Sequence, residues 1–139
     1  MTILVVDTNP DRLWELVGNI RAVFRQDTVE YTHDPLMAGK FGFNYHIDVL
    51  FTELKMERMN GLRLSDLLRK QNSGMKTFLI SGQKEFCTDM VGQVVWGKNN
   101  GGNLVRPVTV DMVREIADRL QPAGCLEIQP AEPYPADTR

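Results

Sequence analysis

Short apolar runs alternate with segments of helical periodicity through the first 120 residues. Continuous apolar runs bounded by turn residues are typical of strands that are buried on both faces of a sheet. Strands that alternate with helices pair in parallel through right-handed crossovers, and the helices then cover both faces. The sequence therefore predicts an α/β fold with five parallel strands, at Ile3–Val6, Thr28–Thr32, Asp48–Thr52, Met75–Ile80 and Leu104–Val105.

The segments between these runs predict five helices. Asn9-Pro10 and Asp34-Pro35 each place a proline where a helix begins, a position that suits it. Apolar residues then recur three or four positions apart, as they do on one face of a helix. The predicted helices begin at Pro10, at Pro35, at Gly61, at about Glu85 and near Thr109, and the fourth is expected to extend to Trp96.

The central stretch, residues 48–61, contains a strand that ends on a carboxylate. Its apolar run stops at Glu53, and a short loop leads to Asn60-Gly61 and a helix. The last side chain of such a strand lies at the C-terminal edge of a parallel sheet, where open α/β folds hold their sites. Four predicted strand ends bring two carboxylates, hydroxyls and a guanidinium to one crevice, at Asp7-Thr8, Glu53, Ser81-Gly82 and Arg106-Pro107.

This layout resembles the receiver domain of bacterial two-component response regulators. Residues 3–7, Ile-Leu-Val-Val-Asp, are similar to the family's first strand and acidic pair, and residues 53–61 resemble its phosphoacceptor loop. Ser81 stands where the family has a Ser or Thr that hydrogen-bonds the phosphoryl group, and Arg106-Pro107 stands where it has Lys-Pro. The resemblance implies a flavodoxin-like fold with strand order 2-1-3-4-5 and a role in phosphorelay signal transduction.

The resemblance covers about residues 2–120. Two segments are similar to those of receivers of LytTR-type regulators: Met59-Asn60-Gly61-Leu62 and Val105-Arg106-Pro107-Val108-Thr109. The LytTR DNA-binding output domain is expected to be absent, because the chain ends too soon. The expected organisation is a receiver-like domain at 1–120 and a Pro-rich, disordered tail at 121–139.

Five positions depart from the family pattern. The acceptor aspartate is Glu53, the second acid is Thr8, the loop proline is Glu57, the lysine is Arg106 and the strand-five aromatic is Asn103. Because of the extra methylene, the oxygens of Glu53 lie on the order of 1.5 Å from where an aspartate would hold them. Errors of about 1 Å can cost about a hundredfold in rate. Phosphotransfer to Glu53 is therefore expected to be weak.

The same departures bear on the metal ion that active receivers use. Mg²⁺ prefers oxygen ligands in a near-octahedral array, and the family supplies them from carboxylates and a loop carbonyl. Thr8 removes one of those carboxylates. We therefore expect no metal ion, no cofactor and no catalytic residue, and any residual Mg²⁺ site would use Asp7, Glu53 and the carbonyl of Lys55.

Glu53 and Arg106 carry side chains of opposite charge and complementary geometry. A guanidinium matches a carboxylate bidentately, which a lysine cannot do. We expect a Glu53–Arg106 pair in place of the phospho-aspartate–lysine pair of the family, and we expect it to fix the pocket in one conformation.

Composition excludes some classes of function. The formal net charge is −2, and the acidic tail leaves residues 1–120 close to neutral, so no basic patch for DNA or RNA is evident. No apolar stretch approaches the roughly 20 residues that span a bilayer, and no signal peptide precedes residue 3. The two cysteines, Cys87 and Cys125, predict free thiols in a reducing cytoplasm.

Three functions remain open. The first is a degenerate receiver that is not an enzyme and that binds another protein, a sensor kinase or an output protein, or forms a homodimer through helix four, strand five and helix five. The second is a phosphorylatable, Mg²⁺-dependent receiver that regulates transcription through a partner. The third, a flavodoxin-like cofactor binder, is disfavoured because the loop after strand one, residues 7–11, carries two acids and a proline where a phosphate cradle is needed.

Overall fold

A computed structural model of the chain describes residues 1–82, 92–97 and 101–120. Within these residues the chain forms six strands and four helices. In chain order they are β1 (Thr2–Val6), α1 (Pro10–Val23), β2 (Thr28–Thr32), α2 (Pro35–Asn44), β3 (Val49–Glu53), α3 (Gly61–Arg69), β4 (Lys76–Ser81), β5 (Val94–Trp96), β6 (Gly102–Val105) and α4 (Val110–Leu120).

All six strands belong to one sheet with the order β2-β1-β3-β4-β6-β5. The pairs from β2 to β6 are parallel, which confirms the predicted doubly wound sheet and its order 2-1-3-4-5, with β6 as the fifth parallel strand. Strand β5 pairs antiparallel with β6 at the edge of the sheet. The sheet therefore has one strand more than predicted.

The predicted end of the fourth helix at Trp96 is wrong, because Val94–Trp96 forms strand β5. Gly92 has a φ of 79°, a left-handed conformation that interrupts a helix. Two valines and a tryptophan in succession also favour a strand, since branched and aromatic side chains pack well on a pleated surface. The remainder of that prediction, residues 85–91, lies outside the described residues, as does the predicted tail at 121–139.

The core has two parts, one on each face of the sheet. One lies under α1 and α4, and the other lies under α2 and α3. Each large apolar side chain buried there contributes about 1.5–3 kcal/mol. The largest fully buried side chains include Phe51 and Phe78 in the middle of the sheet, whose rings stack with centroids 5.2 Å apart. No helix among the described residues is long and apolar enough to cross a membrane.

Two local features position the strand ends. Asn9 caps α1, since its side-chain oxygen accepts hydrogen bonds from the backbone N–H groups of Asp11 and Arg12. Gly61 begins α3 against the end of β3, where a Cβ would lie 2.5 Å from the carbonyl oxygen of Glu53. The cap and the glycine hold the first turns of α1 and α3 close to Glu53.

Candidate functional site

The C-terminal edge of the sheet brings together most of the residues that the sequence singled out. Asp7 follows β1, Glu53 ends β3 and Arg106 follows β6. Asp7 is 2% exposed and Glu53 is 4% exposed, so two carboxylates are buried at this edge. Buried charges require charged or hydrogen-bonding partners, and the surroundings of Glu53 supply them.

The Glu53 carboxylate accepts four hydrogen bonds. Its Oε1 accepts from the backbone nitrogen of Thr8 at 2.9 Å and from the Thr8 hydroxyl at 2.7 Å. Its Oε2 accepts from Nη2 of Arg12 at 2.8 Å and from Nη2 of Arg106 at 3.2 Å. Bonds from charged donors are roughly twice as strong as neutral ones. Both oxygens of Glu53 are therefore occupied by groups of the protein itself.

The expected contact between Glu53 and Arg106 is present in the structure. It is made by one nitrogen, however, and not by the bidentate fork that the residue types suggested. Arg12 shares Oε2 and Thr8 occupies Oε1, so the carboxylate presents no open edge for a fork. The buried Nε of Arg106 consequently has no hydrogen-bond partner in the described part of the chain.

Arg12 is the residue that the sequence reasoning missed. Its guanidinium lies between the two carboxylates, with Nε 3.3 Å from Oδ2 of Asp7 and Nη2 2.8 Å from Oε2 of Glu53. One signal could have found it. A cation in the first turn of a helix is unfavourable next to the positive end of the helix dipole, so an arginine there calls for a nearby anion.

The protonation of Asp7 and Arg12 reflects this arrangement. Burial raises the pKa of Asp7, and the charge of Glu53 raises it further, while the backbone N–H of Asn9 and the Arg12 guanidinium act in the opposite direction. Burial lowers the pKa of Arg12, but the hydrogen bonds and charges of Asp7 and Glu53 outweigh it and raise that pKa above its ordinary value. Arg12 is therefore a permanent cation between the two acids.

Ser81 and Lys55, the other residues predicted for the pocket, make none of these bonds. Ser81 ends β4 and is buried, and its hydroxyl has no hydrogen-bond partner among the described residues. Lys55 is exposed and lines an open cavity of about 640 Å³, together with His33 and Glu57. The structure thus assembles four of the predicted residues with Arg12 and leaves these two outside the hydrogen-bond network.

The donor set does not fit the Mg²⁺ ion of active receivers. The oxygens of Asp7 and Glu53 face a guanidinium, and Thr8 supplies a hydroxyl in place of a third carboxylate. Within the residues that the structure describes, no three His, Cys, Asp or Glu side chains are grouped to hold a metal ion. A divalent cation between the carboxylates would lie against Arg12, and like charges so close together repel strongly.

A cavity of about 310 Å³ adjoins the network between α1 and the loop that leads to α4. Arg12 and Arg106 line it together with apolar residues such as Leu16 and Val108. The two guanidiniums that bind Glu53 thus also form part of an open surface.

Several solved structures have a similar fold, and response regulator proteins are among them. A two-component transcriptional regulator from Clostridium phytofermentans matches with a TM-score of 0.66 at 20% identity, over 86% of this chain and 95% of that one. A chemotaxis protein from Vibrio cholerae matches with a TM-score of 0.64 at 18% identity, over 85% and 96%. A response regulator receiver protein from Sinorhizobium medicae matches with a TM-score of 0.63 at 17% identity, over 86% and 93%.

No protein-family model matches the sequence. No curated protein matches it either. The structural likeness, at identities of 20% or less for these three proteins, shows that the chain has the receiver-domain fold. The function must be argued from the site, because one fold supports many functions.

Proposed function

We propose that this chain is an atypical response-regulator receiver domain that takes part in signal transduction by binding other proteins, without phosphorylation of Glu53. The observation that carries the proposal is the closed state of the pocket. Each oxygen of Glu53 accepts two hydrogen bonds from the chain itself, and Arg12 stands between Glu53 and Asp7.

Phosphotransfer to a carboxylate needs a free oxygen and a divalent cation that neutralises charge on the incoming phosphoryl group. Here Glu53 has no free oxygen, and a guanidinium lies beside the carboxylates that would bind the cation. Two guanidiniums also balance the charges of two buried acids. The pocket is electrostatically complete without a ligand, which supports a protein that does not depend on phosphate or metal.

The network also joins segments that are distant in the sequence. Arg12 belongs to α1, Glu53 ends β3 and Arg106 begins the connection to α4. Holding these three together favours one fixed arrangement of the edge. Asn103 lies on β6 at the position of the family's switch aromatic. The aromatic side chain that couples the site to the outer face in active receivers is therefore missing, which supports the same conclusion.

The proposed partner is another protein, a sensor kinase or an output protein, and the proposed location is the cytoplasm. The proposal includes no direct binding of nucleic acid and no cofactor. Self-association through the predicted fourth helix, the fifth parallel strand (β6) and the last helix (α4) stays a prediction, and residues 85–91 of that predicted fourth helix lie outside the described part of the chain.

A second function, the phosphorylatable receiver, is supported by Ser81. Its buried hydroxyl has no hydrogen-bond partner in the described residues, and such a donor suits a phosphoryl oxygen. This function requires that Arg12 leave the carboxylates and that a metal ion replace it.

Magnesium together with beryllofluoride, a mimic of the phosphoryl group, tests the proposal. We expect the amide spectrum of the ¹⁵N-labelled chain to be unchanged around Thr8, Glu53 and Arg106. A variant with Thr8→Asp, Arg12→Ala, Glu53→Asp and Arg106→Lys restores the family's residues at the three pocket positions and removes the competing cation, and it is the positive control. Saturable shifts at the pocket of the unmodified chain would overturn the proposal and favour the phosphorylatable receiver.

A further inference from the structure

Helix α2 turns three large apolar side chains outward, while Phe41 packs against the core. Among the described residues, eight large apolar or aromatic side chains are exposed, and four of these lie on α2 or directly after it. Leu36 is 45% exposed, Met37 is 52% exposed and Phe43 is 66% exposed. Together with Lys40 they are spaced along one helical face, and these four residues are called the α2 patch below.

The packing of α2 explains why these side chains face outward. The helix buries its small residues, Ala38, Gly39 and Gly42, against the rest of the domain. A Cβ on Gly42 would collide with Cδ2 of Leu68, so the glycine allows α2 to lie close against α3. A surface helix ordinarily buries its large apolar residues and exposes polar ones. In α2 only Phe41 among the large side chains packs against the core, and the solvent face also carries large apolar residues.

The α2 patch continues into a groove beside the edge strand β2. A cavity of about 430 Å³ lies between Met37 and Lys40 on α2 and Tyr31 on β2. The exposed Glu30 of β2 also lines it, so the positive charge belongs to the helix face and not to the groove as a whole. The ring of Tyr31 packs against that of Trp14 on α1, with centroids 5.1 Å apart, and Trp14 is itself exposed. Contiguous exposed apolar surface with aromatic side chains marks interaction sites, and tryptophan and tyrosine are enriched among residues that dominate binding.

The charge of the α2 patch indicates what binds there. Lys40 is the only charged residue of α2, it lies in the middle of the patch, and it has no ion-pair partner in the described residues. A second copy of the chain is a poor occupant. A two-fold interface pairs a surface with itself, so packing α2 against α2 would bring two Lys40 ammonium groups together at its centre. A partner with a carboxylate at that position would instead neutralise Lys40.

We infer that the α2 patch and its groove are a docking surface for an amphipathic helix of another protein, whose apolar stripe carries a carboxylate at its centre. The inference rests on the proposed function, because it names the surface through which this receiver-fold domain would bind its partner. The helix would cover Leu36, Met37 and Phe43, and its carboxylate would lie opposite Lys40.

A synthetic 15-residue amphipathic peptide, with leucines on one face and a glutamate at the centre of that face, is the probe. We expect it to cause saturable shifts in the ¹⁵N-labelled full chain at the amides of α2 and at Tyr31. Met37→Ser or Phe43→Ser should each weaken binding at least tenfold. Leu62→Ser is the matched control, because Leu62 is an exposed leucine of α3 outside the patch, and it should leave the affinity unchanged within twofold.

A charge exchange makes the test specific. Lys40→Glu should weaken binding of the glutamate peptide at least tenfold, and a peptide with lysine at its centre should bind that variant better than the unmodified chain. The inference would be overturned if the peptide did not bind, or if the shifts were confined to other elements. It would also be overturned if Leu62→Ser weakened binding as much as Phe43→Ser, or if the lysine peptide did not prefer the Lys40→Glu variant. A dimer of the unmodified chain in sedimentation equilibrium that Phe43→Ser dissociates would also overturn it, because the occupant would then be a second copy.

Peptide binding at α2 and phosphorylation at Glu53 are measured separately, so one can fail without the other. Peptide binding at α2 together with beryllofluoride shifts at Glu53 would support the docking surface and overturn the unphosphorylated role. No peptide binding together with an unresponsive Glu53 pocket would overturn the docking surface and support that role.

Discussion

Nη2 of Arg12 lies 2.8 Å from Oε2 of Glu53, across 41 residues of sequence. The same nitrogen lies 3.3 Å from Oδ1 of Asp7, so one guanidinium serves both buried acids of the pocket. An arginine in the first turn of α1 thereby stands beside the carboxylates that a receiver of the usual pattern would offer to a metal ion.

Arg12→Ala should destabilise the domain by about 1–3 kcal/mol. The substitution leaves Asp7 and Glu53 buried with less compensation, and the 39% exposure of the Arg12 side chain limits the loss through solvent screening. Urea unfolding measures the change. Arg25→Ala, which removes an exposed arginine just after the same helix, should change stability by less than about 0.5 kcal/mol. Equal effects of the two substitutions would show that the Arg12 network does not stabilise the fold.

Thr8→Val should cost about 1 kcal/mol, because it removes the hydroxyl that donates to Glu53 at 2.7 Å and leaves the backbone donor in place. Thr8→Ser keeps the hydroxyl and is the matched control. The unfolding free energy and the amide shift of residue 53 are measured for both variants. Because only serine keeps the hydroxyl and only valine keeps the methyl group, the comparison separates the effect of the hydrogen bond from that of the methyl group. A serine variant as unstable as the valine variant would contradict the importance of this bond.

Stability should depend on pH through Asp7. Burial and the charge of Glu53 raise its folded pKa above 3.8, the ordinary value, so the folded state binds the Asp7 proton more tightly than the unfolded state. Between those two pKa values the folded state carries more protons, and the contribution of Asp7 to stability therefore falls as pH rises. The stability of the unmodified chain minus that of Asp7→Asn should decrease with rising pH through this window. A difference that increases with pH would show that the folded pKa is lowered.

Gly61→Ala should destabilise the domain by about 1–3 kcal/mol, because its Cβ would lie 2.5 Å from the backbone oxygen of Glu53 and 3.0 Å from Cγ2 of Thr52. The start of α3 would have to move away from β3. Gly74→Ala is the control, since nothing lies within 4 Å of its added Cβ. Thermal unfolding compares the two variants, and a neutral Gly61→Ala would mean that the contact between α3 and β3 is loose.

The sequence predicted most of the fold because apolar runs and helix starts are local signals. Strands β1 to β4 and the start of α2 at Pro35 follow from such patterns. Gly39 and Gly42, which weaken the helical pattern of α2, are explained only by tertiary packing against α3. Strand β5 was missed because a short apolar run fits a helix end or an edge strand equally well.

The site was predicted in part for a similar reason. The ends of strands fix where Asp7, Glu53 and Arg106 lie, so their proximity follows from topology alone. The contact of Arg12 depends on how a long side chain extends across the edge of the sheet, and no sequence period records that. The single bond between Arg106 and Glu53 depends in turn on Arg12, which competes for the same oxygen.

The most direct measurement of the central claim is the intact mass of the chain after incubation with Mg²⁺ and acetyl phosphate, a small-molecule phosphodonor. The variant with Thr8→Asp, Arg12→Ala, Glu53→Asp and Arg106→Lys is treated in parallel as the chain with an opened pocket. If Arg12, Arg106 and Thr8 close the pocket around Glu53, the unmodified chain keeps its mass while the variant gains one phosphoryl group. A phosphoryl group on Glu53 of the unmodified chain would contradict the account.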